Sequence, residues 1–169
     1  MKVVFLDIDG VLNSHRTAIC YGGYPFEVDG KDRAMFDEVA LGLIRGIVNT
    51  AGAKVVLSSS WRITHRFEKI GAALDLPIFD RTPSLLGGRG KEIQHWLEAE
   101  TSPCVERYAI IDDDSDMLPE HTPYFVHTSI EDGFLWRHAE QLASLLGINI
   151  YDVNHPAQLR KSAPVLAWE

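Results

Sequence analysis

Cysteine is scarce in this chain, and basic charge is outnumbered. Its 169 residues hold two cysteines and 16 Lys and Arg against 24 Asp and Glu, a formal net charge of −8. Cys20 and Cys104 stand far apart and outside any CxxC spacing. That argues against a disulfide framework or a zinc site and fits a reducing compartment. The acidic balance argues against broad, non-specific binding to a nucleic-acid backbone, although it leaves room for a local basic pocket. No apolar run approaches the roughly 20 residues of a membrane span. The apolar start is short and interrupted by Asp7 and Asp9, unlike a signal peptide, so a cytoplasmic location is expected. There is no internal repeat, no HExxH and no GxSxG, which removes the usual zinc and serine-hydrolase signatures. "GGRGK" at 87–91 is not a P-loop, because Leu85 and Glu92 occupy positions where that loop needs Gly and Ser or Thr.

What is present reads as one domain with a sizeable core. Five short apolar runs predict strands: Val3–Asp7, Lys54–Leu57, Pro77–Phe79, Tyr108–Ile111 and Tyr124–His127. They are nearly continuous rather than alternating, which suits strands covered on both faces of a parallel sheet. Helical spacing lies between them, in Phe36, Val39, Leu43 and Ile47, in Phe67, Ile70 and Leu74, in Ile93, Trp96 and Leu97, and in Leu135, Ala139, Leu142 and Leu146. This alternation predicts a doubly wound α/β fold with right-handed crossovers. Residues 13–32 read as a long loop or small flap, and 150–169 as an irregular tail packed on the domain.

In such a fold ligands bind beyond the carboxyl ends of the strands. Those ends carry Asp7-Ile8-Asp9, Ser58-Ser59-Ser60-Trp61-Arg62 and Asp112-Asp113-Asp114-Ser115-Asp116, with Gly87–Lys91 ahead of a helix. So many carboxylates in one crevice need a cation, and oxygen ligands favour Mg²⁺. Serine hydroxyls, Arg62 and Lys91 beside a metal suit a phosphoryl group. A carboxylate there can act as nucleophile and form an aspartyl-phosphate.

"DIDGVLN", "VVLSSSWR", "RGKEIQHWL" and "YAIIDDDSD", in this order, resemble the four motifs of the haloacid dehalogenase superfamily of phosphohydrolases. The resemblance spans most of residues 1–147 and implies a Rossmann-like, three-layer core. It implies Asp7 as nucleophile and Asp9 as general acid and base. Ser58, preferred over Ser59, would bind a phosphoryl oxygen, and Lys91 would hold Asp7 and the phosphoryl group. Asp7, Asp112 and the Ile8 carbonyl would ligate Mg²⁺, with Asp9 beside them and Asp113 or Asp116 as a further acidic partner. "LSSSWR" and "HTSIEDGF" resemble the phosphatase-type domains grouped with nucleic-acid repair proteins, which implies that Thr128 and Gly133 lie beside the crevice. Neither gap between motifs has room for a lid domain.

Plainer roles compete for several of these residues. The serines are also good helix caps, Arg62 could form a structural ion pair, and Lys91 could be an ordinary first-turn lysine. Trp61 adjoins the crevice and could stack a base or simply pack. The expected activity is Mg²⁺-dependent hydrolysis of a phosphomonoester, on a nucleic-acid end or nucleotide. A sugar-phosphate phosphatase and a non-catalytic metal- or phosphate-binding module are the alternatives. Nothing in the sequence fixes an oligomeric state.

Overall fold

The computed structural model describes residues 1–99 and 104–153. The five strands are β1 (Lys2–Leu6), β2 (Lys54–Leu57), β3 (Ile78–Arg81), β4 (Arg107–Asp112) and β5 (Phe125–His127). They form one sheet in the order β3-β2-β1-β4-β5, every pairing parallel. The chain starts in the middle, winds outward to β3, then returns to the other side of β1 for β4 and β5. The winding direction therefore changes between β1 and β4, the place where open α/β sheets leave a crevice.

Both faces of the sheet are covered, as the continuous apolar strands predict. On one face Val4, Leu6, Val55, Leu57, Ala109 and Ile111 pack against α2 (Glu38–Ala51), α4 (Phe67–Leu74) and α6 (Trp136–Leu145). The other face is thinner. There Val3, Phe5, Val56 and Ile110 meet Ile93 and Trp96 of α5 (Arg89–Glu98). The Phe5 and Trp96 rings meet edge to face at 5.3 Å, a favoured aromatic geometry.

Residues 15–21, expected within a loop or flap, form the short helix α1 (His15–Tyr21). Its start is fixed locally. Ser14 Oγ accepts the Thr17 amide at 3.3 Å, while Thr17 Oγ1 accepts the Ser14 amide at 2.8 Å. This reciprocal capping satisfies donors that a helix start otherwise leaves unpaired. Asp37 caps α2 by accepting the Val39 and Ala40 amides, and its other oxygen pairs with Arg16 at 2.5 Å. That pair ties the segment carrying α1 to the body of the sheet.

Between β2 and β3 lie the single turn α3 (Trp61–Thr64) and α4. No further element intervenes there among the described residues, in keeping with the short connections in the sequence. No helix among them is long and apolar enough to cross a membrane. Of the expected tail, residues 154–169 lie outside the described residues.

Candidate active site

The sheet lines up the expected site residues at its carboxyl edge. Asp7 follows the last residue of β1, and its amide donates to Ile111 O at 3.0 Å. The Ser58 amide donates to Leu6 O at 2.9 Å, and the Thr82 amide to Leu57 O at 3.0 Å. Parallel pairing thus continues one residue past the strands and sets Thr82, Ser58, Asp7 and Asp112 side by side.

Asp7, Asp112 and Asp113 each present a carboxylate oxygen within 4.8 Å of the others. Gly10 makes room for this. Its φ is +68°, and a Cβ there would fall 2.2 Å from Asp113 Cγ; only glycine combines that backbone with that clearance. Burial, then the charge of Asp7, pushes Asp112 up to about 8 despite the opposing Arg89. Burial likewise raises Asp113 to about 6, helped by Asp7 and Asp114. Asp7 is also raised by burial, against the pull of Arg89, the Ser59 hydroxyl and the Ile8 amide, which stands 2.7 Å from Asp7 Oδ1. Close carboxylates in a low-dielectric pocket disfavour each other's charge. Asp112 Oδ2 is fully buried and accepts no hydrogen bond, which leaves it suited to a cation.

Asp9 stands outside this triad, contrary to its expected place among the metal ligands. Asn13 Nδ2 donates to its Oδ1 at 2.8 Å and Trp61 Nε1 to its Oδ2 at 2.9 Å. The carboxylate is held on both sides and turned toward a neighbouring cavity. The Ile8 carbonyl, expected to face the metal, accepts the amides of Val11 at 3.2 Å and Leu12 at 2.8 Å. Its lone pairs are engaged inside the turn. Of the two remaining acidic candidates, Asp113 belongs to the triad. Asp116 instead accepts the Arg89 amide at 2.8 Å and caps α5.

The basic residues change places relative to expectation. Lys91 is exposed, and a Cβ at Gly87 would meet its Nζ at 2.9 Å, so its chain folds over that turn. Arg89 supplies the positive charge at the carboxylates. Its Nη2 stands 3.7 Å from Asp7 Oδ2 and its Nε 3.5 Å from Asp112 Oδ2. Burial works against the Arg89 charge, but Asp7, Asp112, Glu92 and Asp116 outweigh it. Arg89 Nη1 is buried without a hydrogen-bond partner. Gly90 permits this placement, because a Cβ there would lie 2.5 Å from the Leu118 amide nitrogen.

Arg62 is also spent elsewhere. Its guanidinium pairs with Glu92 at 2.6 Å and donates to the carbonyls of Ser59, Thr82 and Pro83. It is buried as a structural clamp between the β2 end, the β3 end and α5. Ser59 Oγ accepts the Trp61 amide at 3.4 Å, while Ser58 Oγ is buried without a hydrogen-bond partner. Thr128 lies directly after β5, its amide on Asp112 O at 3.0 Å. Phe134, next to Gly133, donates its amide to Val11 O at 3.0 Å. The 128–134 segment thus borders the crevice as expected.

Sequence reasoning missed Arg89 and the cavity. Arg89 lies inside the Gly87–Lys91 run that the sequence singles out, but nothing in that run ranks it above Lys91. The cavity, of about 640 Å³, begins at Asp9 and Asn13 and is walled by Tyr24, Phe26, Trp61 and His65. Trp61 is nearly buried and stacks on His65, with ring centres 5.0 Å apart.

Comparison with known proteins fits this geometry. No curated protein and no solved structure matches the chain. Residues 3–139 match the family model described as the HAD domain in Swiss Army Knife RNA repair proteins. The match covers most of the chain, across every element from β1 to the start of α6, and the protein belongs to that family.

Proposed function

We propose that this protein is a Mg²⁺-dependent phosphomonoester hydrolase that uses Asp7 as its nucleophile and acts on a nucleic-acid end or a nucleotide. The observation that carries the reading is the cluster of buried Asp7 and Asp112 with half-buried Asp113, the first two facing the Arg89 guanidinium. The donor set fits a hard divalent cation, which an oxygen triad whose Asp112 Oδ2 accepts no hydrogen bond would hold. When bound, Mg²⁺ would offset the carboxylate charges and draw charge from the phosphoryl oxygens.

Asp7 attacks phosphorus, and the bond to the ester oxygen breaks. Asp9 delivers a proton to that leaving oxygen. Water then attacks the phosphorus of the aspartyl-phosphate while Asp9 takes its proton. Phosphate leaves and the Asp7 carboxylate is restored. Arg89 Nη1 and Ser58 Oγ, both unpartnered, are the groups that would bind phosphoryl oxygens. The Asn13 and Trp61 bonds keep Asp9 aimed at the leaving group. Lys91, exposed on α5, has no part in this scheme. The family's occurrence in RNA repair proteins supports a nucleic-acid phosphate as substrate.

The test is hydrolysis of an aryl phosphate with Mg²⁺ and with chelator, in wild type and in Asp7→Asn. Turnover should require the metal and fall about a thousandfold or more in the variant. Wild-type activity in Asp7→Asn would remove Asp7 from the role. An inert wild type would favour a binding module. Rapid turnover of sugar phosphates with untouched oligonucleotides would replace the substrate class.

A further inference from the structure

The cavity beside Asp9 takes no part in the chemistry just described, yet it is well formed. At about 640 Å³ it falls within the usual range of small-ligand pockets, roughly 300–1,000 Å³. Phe26 stands at its lip 82% exposed. Such a ring gains nothing for the fold by facing water. Its backbone is nonetheless fixed. Asp32, itself buried, accepts the amides of Phe26 at 2.9 Å and Glu27 at 3.1 Å on one carboxylate oxygen. Tyr24 beside it is tethered through its hydroxyl to His15 Nδ1. On the far wall Trp61 joins the cavity directly to Asp9 through its indole N–H.

We propose that this cavity is the leaving-group subsite and takes the nucleobase next to the scissile phosphate, stacked on Phe26 and Tyr24. The inference rests on the phosphatase reading, because Asp9 is the link between cavity and chemistry. A leaving oxygen protonated by Asp9 must carry the rest of its molecule into space that Asp9 borders. Asp9 borders this cavity, whose exposed lining is mainly carbon, with Tyr24, Phe26 and Trp61 among its walls. A flat π-system satisfies such walls without needing hydrogen bonds, and stacking tolerates any base. A bare sugar would bring hydroxyl groups against carbon and lose their water. The net charge of −8 disfavours holding a long phosphate backbone, so contact with the base is what would hold the substrate.

The experiment compares kcat/KM for a nucleoside monophosphate and for the same sugar phosphate lacking its base. Wild type should prefer the nucleotide, and Phe26→Ala should cut that preference about tenfold, within the span expected for one base stacked on an aromatic ring. Ile19→Ala serves as a control, since Ile19 is 85% exposed on α1 and does not line the cavity; the preference should be unchanged. Phe26 is too exposed for its loss to unfold the chain, and a melting curve verifies this. Separately, the Asp7→Asn protein is titrated with an unphosphorylated nucleoside by calorimetry, with Phe26→Ala added in a second protein. Binding should weaken about tenfold in the double variant. If the nucleoside binds but wild type hydrolyses no phosphate, the phosphatase reading falls and takes the leaving-group role with it, leaving only a base-binding cavity. If phosphate esters turn over with no preference for a base and no nucleoside binds, the cavity assignment falls alone. A phosphopeptide turned over in preference to every nucleotide would also overturn it.

Discussion

The two sides of Asp9 are built from different materials. On one side Asp7, Asp112, Asp113 and Arg89 sit at strand ends and a helix start, buried or half-buried and ionisable. On the other side Tyr24 and Phe26 come from a loop and Trp61 and His65 from a short turn, and the surface is aromatic. Charged groups in a low-dielectric site act steeply with distance, so they belong on the rigid sheet. Aromatic surface acts by contact and tolerates a loop, which is also where families vary their substrates. The contrast suggests that the sheet sets the reaction and the loops choose what undergoes it.

The largest effect should come from moving charge on the sheet side. Arg89→Met should lower kcat for any phosphomonoester about a hundredfold to a thousandfold, as loss of one electrostatic stabiliser does elsewhere. Lys91→Ala should stay within about twofold. Steady-state rates with one small substrate decide it, and the reverse ranking would return the role to Lys91. Next comes the clamp beneath that charge. Glu92→Gln leaves Arg62 charged and buried without its partner, at a cost of about 3 kcal/mol in unfolding free energy. Urea titration reads this, and an unchanged midpoint would mean that the pair is dispensable.

A smaller effect probes the border itself. Trp61→Phe keeps the ring and removes the indole N–H from Asp9 Oδ2, which should lower kcat about tenfold, equivalent to about 1.4 kcal/mol. A change in KM alone would assign Trp61 to the cavity only. A last effect separates the sides by pH. Asp112 is raised to about 8 when folded without metal, against about 3.9 when unfolded. The folded state thus holds a proton that the unfolded state has released. Metal-free stability should fall as pH rises from about 4 to 8. Melting temperature in chelator should drop by several degrees or more between pH 5 and pH 8. Mg²⁺ should restore it at pH 8 and do little at pH 5, where protonated ligands hold no cation. Equal Mg²⁺ shifts at both values would count against Asp112 as a ligand.

The same contrast explains what could be read before the structure was known. The sheet side was legible because strand ends impose order on sequence. An apolar run followed by Asp7, or by Asp112 and Asp113, already implies where those carboxylates lie. The exchange of Arg89 for Lys91 was not legible. It depends on where α5 begins, and Asp116 sets that boundary from 27 residues away. Arg62 misled for a related reason, since Glu92, its partner, is 30 residues distant and on another element. Asp9 read as a metal neighbour because adjacency in sequence hides the turn at Gly10. The cavity was invisible because Tyr24, Phe26 and Trp61 share no spacing; only the folded loop brings them together. The short α1 was hidden by its length, although Ser14 and Thr17 form the cap that starts it.

The seat of Arg89 has one more consequence. Gly90 lies so close to the 116–118 backbone that α5 can dock only with a residue lacking a side chain there. The balance of charge around Asp7 is therefore set by steric clearance at a residue that carries no ionisable group. Adding one methyl group at position 90 would disturb that balance with every ionisable residue still in place, and the lesion would look electrostatic while its origin was purely one of volume.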